Sequence, residues 1–86
     1  MESRSVEIVN PTGLHTRPGT LFVKQAKTYS SEIHIVKNDK RVNAKSLLTL
    51  LKAGISLGDT ITIEAEGPDA VAAVDDLANM ITSLKD

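Results

Sequence analysis

The residues of this chain that could do chemistry at their spacing crowd into one stretch: Asn10-Pro11-Thr12-Gly13-Leu14-His15-Thr16-Arg17-Pro18. Pro11 and Gly13 break the alternating apolar run before it, and a helical pattern opens just after His15. Pro18 suits the first helical turn, where its missing N–H removes only a donor without an intrahelical acceptor. His15 or Thr16 then takes the N-cap, and the first backbone N–H groups of the helix point out beside the imidazole. Such an end attracts anions, through those N–H groups and the positive pole of the helix dipole. The same pole disfavours imidazolium, so His15 is expected to stay largely neutral near pH 7. A neutral imidazole nitrogen is a competent nucleophile toward phosphorus. Arg17, two residues on, can offer a guanidinium to a phosphoryl group held there. Taken alone, a histidine at a loop-to-helix junction is more commonly a cap or a surface residue, and short motifs match often by chance.

Gly13-Leu14-His15-Thr16-Arg17-Pro18 resembles the active-site signature of HPr, the family of histidine-containing phosphocarriers of the bacterial phosphoenolpyruvate:sugar phosphotransferase system. The similarity continues through Ala44-Lys45-Ser46-Leu47 and Gly54, and runs the length of the chain without a visible insertion. It implies that His15 accepts a phosphoryl group on Nδ1 from phospho-enzyme I and passes it to the A components of the enzyme II sugar permeases. Arg17 would then stabilise the phosphoryl group, with Thr16 at the helix start beside it. The carrier would act stoichiometrically rather than as an enzyme, with no metal and no cofactor of its own.

The whole chain sets bounds on this reading. Eighty-six residues make one domain, 1–86, with room for a modest core. Aromatics are only 2% of the chain, so that core must be aliphatic. A net charge of −1 removes the electrostatic case for nucleic acid, and Phe22 and Tyr29, the only aromatics, lie on or near the first helix rather than on a sheet as stacking platforms. The absence of cysteine excludes disulfide scaffolds, thiol catalysis and Cys-ligated metals. Nothing after Met1-Glu2-Ser3-Arg4 reads as a signal peptide, and no run approaches membrane-spanning length. The expectation is a soluble, cytoplasmic monomer without membrane insertion.

The elements that must position His15 follow in order. Ser3 to Val9 alternates, Val6 and Ile8 against Ser5 and Glu7, which predicts a half-buried strand. Thr16 to Thr28 reads as a helix with Phe22 and Ala26 on its apolar stripe, Leu21 and Val23 widening it, and Lys24 and Lys27 near its end. Gly19 is an unexpected choice there, costing up to about 1 kcal/mol against alanine, which relatives commonly carry. Glu32 to Lys37 and Lys40 to Asn43 form a hairpin about Asn38-Asp39, with His34 opposite the Ile33/Ile35 face and no second ligand near it in sequence. Lys45 to Lys52 is a short helix carrying Leu47, Leu48, Leu50 and Leu51, more leucine than one face can bury. Thr60 to Glu66 is a fourth strand, with Ile61, Ile63 and Ala65 as its inward row. Asp69 is an N-cap candidate for a final helix whose stripe is Val71, Val74, Leu77, Ile81 and Leu84, with Asp75 and Asp76 as solvated charges.

The order βαββαβα makes a two-layer α+β domain. The resemblance specifies it further, as an open-faced sandwich in which a four-stranded antiparallel sheet is covered on one face by three helices. It also places partner docking on the first helix and the short leucine helix: Leu47 and Leu51 as apolar contacts, Lys24, Lys27 and Lys45 as polar ones. Ser46 opens the short helix, where serine is a common N-cap. In relatives from many low-GC Gram-positive bacteria the matching serine is phosphorylated by a dedicated kinase, so Ser46 is a regulatory candidate and a serine kinase/phosphorylase a possible partner. The other reading within the resemblance is a regulatory paralogue of a nitrogen-type branch, phosphorylated on His15 but not serving sugar uptake. The residues near Ser46 lean toward the sugar branch.

Overall fold

Period-two alternation and short turns build the sheet, and three amphipathic helices cover one of its faces. The computed structural model describes residues 1–85, in the order β1 (Glu2–Glu7), α1 (Thr16–Ala26), β2 (Glu32–Lys37), β3 (Lys40–Asn43), α2 (Leu47–Lys52), β4 (Thr60–Glu66) and α3 (Ala70–Ser83). The sheet order is β1-β4-β2-β3, and each neighbouring pair is antiparallel. The last strand of the chain is thus threaded between the first and second. Register sets Val6 opposite Ile61 and Ile35 opposite Ile63, so the inward rows of neighbouring strands meet on the covered face. Together with Ile8, Ile33, Phe22, Leu50, Leu77 and Ile81 they form one aliphatic core. Full burial of each such side chain is worth about 1.5–3 kcal/mol.

Four element ends differ from the sequence expectation, the first being the start of β1, at Glu2 rather than Ser3. β1 stops at Glu7 rather than Val9, because β4 begins at Thr60 and Ile8 pairs instead with the turn before it: its N–H donates to Asp59 O at 2.8 Å and its carbonyl accepts from Gly58 N–H at 2.9 Å. Helix α1 ends at Ala26, where the chain tightens: Thr28 N–H reaches Gln25 O and Tyr29 N–H reaches Ala26 O, i→i−3 bonds that close the last turn. Helix α2 starts at Leu47 rather than Lys45, since Ser46 is extended and caps it.

Four side chains also depart from expectation. Val71 is 58% exposed, and the buried face of α3 is Ala70, Ala73, Val74, Leu77, Ala78 and Ile81, so small residues let this helix lie close to the sheet. Leu21 does not widen the buried stripe of α1 but is exposed. Asp76 is not a solvated charge: its carboxylate accepts from Gln25 Nε2 at 2.6 Å and Tyr29 OH at 2.5 Å, clasping α3 to α1, and this bond holds the phenol's pKa above its ordinary value. Asp69 stands at the N-cap of α3 without capping it by its side chain. Its carboxylate instead takes the backbone N–H groups of Ser30 and Ser31, both at 2.9 Å, and both serine hydroxyls.

Candidate functional site

The loop that carries His15 is held by its own sequence before it meets anything else. Gly13 N–H closes a turn onto Asn10 O at 3.2 Å, and the buried Asn10 amide returns a bond to Gly13 O at 2.8 Å. Gly13 has φ +63°, and a Cβ there would run into the Ile55 carbonyl and lie 2.8 Å from Ser56 Cα. Glycine is therefore required twice over, by conformation and by close approach. Leu14 N–H then donates to Ile55 O at 3.1 Å while its side chain sinks into the core. These contacts bring the chain out at His15 with one side buried and the other open.

His15 is the N-cap of α1, extended at φ −75° and ψ −169°, exposed, and its side chain makes no capping bond. The imidazole is thus not spent on the helix, which leaves the capping explanation of this histidine without support. The ladder begins with Gly19 N–H to His15 O at 2.7 Å, so the N–H groups of Thr16 and Arg17 lie ahead of its first rung and Pro18 brings none. Arg17 is exposed on the same first turn. Leu14, His15, Leu51, Gly54, Ile55 and Ser56 line a shallow pocket of about 70 Å³. The larger cleft, about 400 Å³ between Lys37, Asn38, Asp39, Lys40, Val42 and Ala53, shares none of these residues.

The structure brings some of the expected docking residues to His15 and leaves others at a distance. Leu51 shares its pocket. Leu47 is partly buried, and its Cδ1 would lie 3.5 Å from a Cβ on Gly19, so α2 packs on the first turn of α1. Of the remaining leucines, Leu50 is buried and Leu48 is 66% exposed. Lys24, near the end of α1, and Lys27, its C-cap, are exposed about 14 and 18 Å from His15 at the helical rise. Lys45 reaches the far end of α1, where Nζ donates to Tyr29 O at 2.7 Å. Ser46 Oγ accepts from Thr49 N–H at 3.4 Å as the α2 cap. His34 is half-buried on the open sheet face, and the described residues hold no group of three His, Cys, Asp or Glu placed for a metal. Sequence reasoning missed residues 54–56 as a wall of the site; the glycines at 54 and 58, bracketing a short loop, were the available signal.

Comparison with known proteins decides which family this chain belongs to. The family model described as "PTS HPr component phosphorylation site" matches residues 2–83. The chain belongs to the HPr family. It is 49% identical over 85 residues to the phosphocarrier protein HPr of Buchnera aphidicola subsp. Baizongia pistaciae, covering 99% of this chain and 100% of that one. The HPr of Haemophilus influenzae is 44% identical over the same length. Among solved structures, HPr-C-His from Thermoanaerobacter tengcongensis superposes with a TM-score of 0.87 at 39% identity, covering 99% of each chain. The chain is accordingly a phosphocarrier of the phosphotransferase system, with the βαββαβα open-faced sandwich of its family. None of its described helices is long and apolar enough to cross a membrane.

Proposed function

We propose that this phosphocarrier takes its phosphoryl group on Nδ1 of His15 from phospho-enzyme I and hands it to the A components of sugar permeases. The observation that carries the reading is an exposed imidazole at the N-terminus of α1 with no hydrogen bond tying it to the helix. The Nδ1 lone pair attacks phosphorus while the bond from phosphorus to the donor breaks, its electron pair leaving with the donor. The Thr16 amide and the positive helix pole face the phosphoryl oxygens, and the Arg17 guanidinium supplies countercharge. The chain then acts stoichiometrically, as a soluble cytoplasmic monomer. Of the two edge strands, β1 and β3, the latter is only four residues long and carries Lys40 and Arg41, a poor template for edge-to-edge pairing.

Partners dock over the exposed helix start, with Leu51 and Leu47 as the apolar contacts nearest His15 and Lys24, Lys27 and Lys45 as the basic ones beyond. Ser46 lies on the same face, so a serine kinase/phosphorylase acting there would change its charge. The test is intact mass after incubation with phosphoenolpyruvate and enzyme I. One acid-labile phosphoryl group is expected on the wild type and none on His15→Ala; an adduct on both would move the acceptor elsewhere.

A further inference from the structure

The described loop Ile8–Leu14 is gripped at both ends by the segment Ile55–Asp59: Ile8 exchanges backbone bonds with Gly58 and Asp59, and Leu14 N–H donates to Ile55 O. The second grip depends on how one peptide is turned. The Ile55 carbonyl and the Ser56 N–H belong to the same planar trans unit and point in opposite directions. Asp59 Oδ2 accepts that Ser56 N–H at 2.7 Å, so holding one end of the peptide aims the other at Leu14. Lys37, at the end of β2, bridges to the same Asp59 oxygen at 2.8 Å and donates to Gly54 O at 2.6 Å. The pair therefore pins the backbone on both sides of Ile55, whose side chain is itself buried. Both side chains are mostly shielded from solvent, and the Lys37 ammonium, with the Ser56 N–H, keeps the Asp59 carboxyl below its ordinary pKa.

We propose that Asp59 and Lys37 are positioning residues for the phosphoryl site: Asp59 fixes the Ile55–Ser56 peptide that anchors Leu14, and Lys37 fixes Asp59. Neither reaches the pocket beside His15, whose lining includes neither residue. They set where the loop delivers the imidazole, and a small misplacement of a reacting group is costly to rate without being costly to binding.

The inference rests on the carrier reading for its effect on transfer but not for its effect on the loop, so two readouts separate them. In Asp59→Ala, Leu14 amide exchange should quicken about tenfold while the Leu77 amide in α3 keeps its protection. Single-turnover transfer from phospho-enzyme I should slow about tenfold, with half-saturation moved by less than about twofold. Asp59→Asn keeps an acceptor for Ser56 N–H and should recover much of both losses. Should Asp59→Ala fail to fold, Lys37→Met carries the same test, with an expected effect of about threefold. Unchanged Leu14 exchange, or transfer at the wild-type rate, overturns the proposal, as does a loss confined to half-saturation. If wild-type protein takes no phosphoryl group, the carrier reading falls, and the Leu14 exchange alone decides the clamp.

Discussion

At the scale of single residues, the proposed site divides the work between a nucleophile, His15, and a countercharge, Arg17, on the same first turn of α1. His15 sits where its backbone starts the helix while its ring is left out of the capping, which separates the structural job of the N-cap from the chemistry proposed for the ring. Arg17→Ala should slow transfer by about one to two powers of ten while His15 still takes the phosphoryl group, since one charge-assisted contact is lost and the nucleophile is not. Stopped-flow transfer from phospho-enzyme I measures this, and an unchanged rate would show that the guanidinium is not used. The signature around His15 was legible in the sequence because its residues are neighbours. The roles of Asp69 and Asp76 were not, since their partners lie 38 to 51 residues away along the chain.

At the scale of elements, the packing of α2 against α1 decides which leucines serve the core and which stay accessible at the surface. Six helical residues cannot bury four leucines on one side, and the structure sorts them into one buried, two partly covered and one exposed. Gly19 lies beneath that contact. A Cβ added there would meet Leu14 O, Leu47 Cδ1 and Leu50 Cδ2 at 3.4–3.7 Å, ordinary contact distances, so nothing in the packing demands glycine. Gly19→Ala should raise stability by about 0.5–1 kcal/mol through the backbone entropy of the unfolded chain. A higher midpoint in urea is the expected result, and a lower one would mean that the 3.4 Å approach to Leu14 O cannot be absorbed. Ser46→Asp should leave α2 capped, since aspartate serves that position as well as serine. It also adds negative charge to the proposed docking face, so affinity for enzyme I measured by titration should fall; equal affinity would take Ser46 off that face.

At the scale of the whole molecule, Asp69 links the start of α3 to the chain entering β2, and the link is pH-dependent. Donors from Ser31 and Ser30 lower its carboxyl to about 2, below the ordinary 3.8. Above 3.8 the group is ionised whether folded or not, and its contribution is fully present. As pH falls from there through about 2 the folded state must also take up a proton, and the contribution is lost. Urea unfolding of wild type and Asp69→Asn should therefore differ at about pH 5 and converge as pH drops through that window. A gap that stays constant would mean the bonds do not depend on the charge.

The sequence by itself determined the element types, the aliphatic core and the family signature around His15, because strand alternation, helical periodicity, turn residues and a contiguous motif act between near neighbours. Only the tertiary structure decided the order β1-β4-β2-β3, the choice of Leu50 over Leu48 for burial, the acceptors of Tyr29 and Ser31, and the peptide at Ile55 that steadies the loop. Each of those depends on a partner that the folded chain brings in from far along the sequence, and no local pattern specifies which partner that will be.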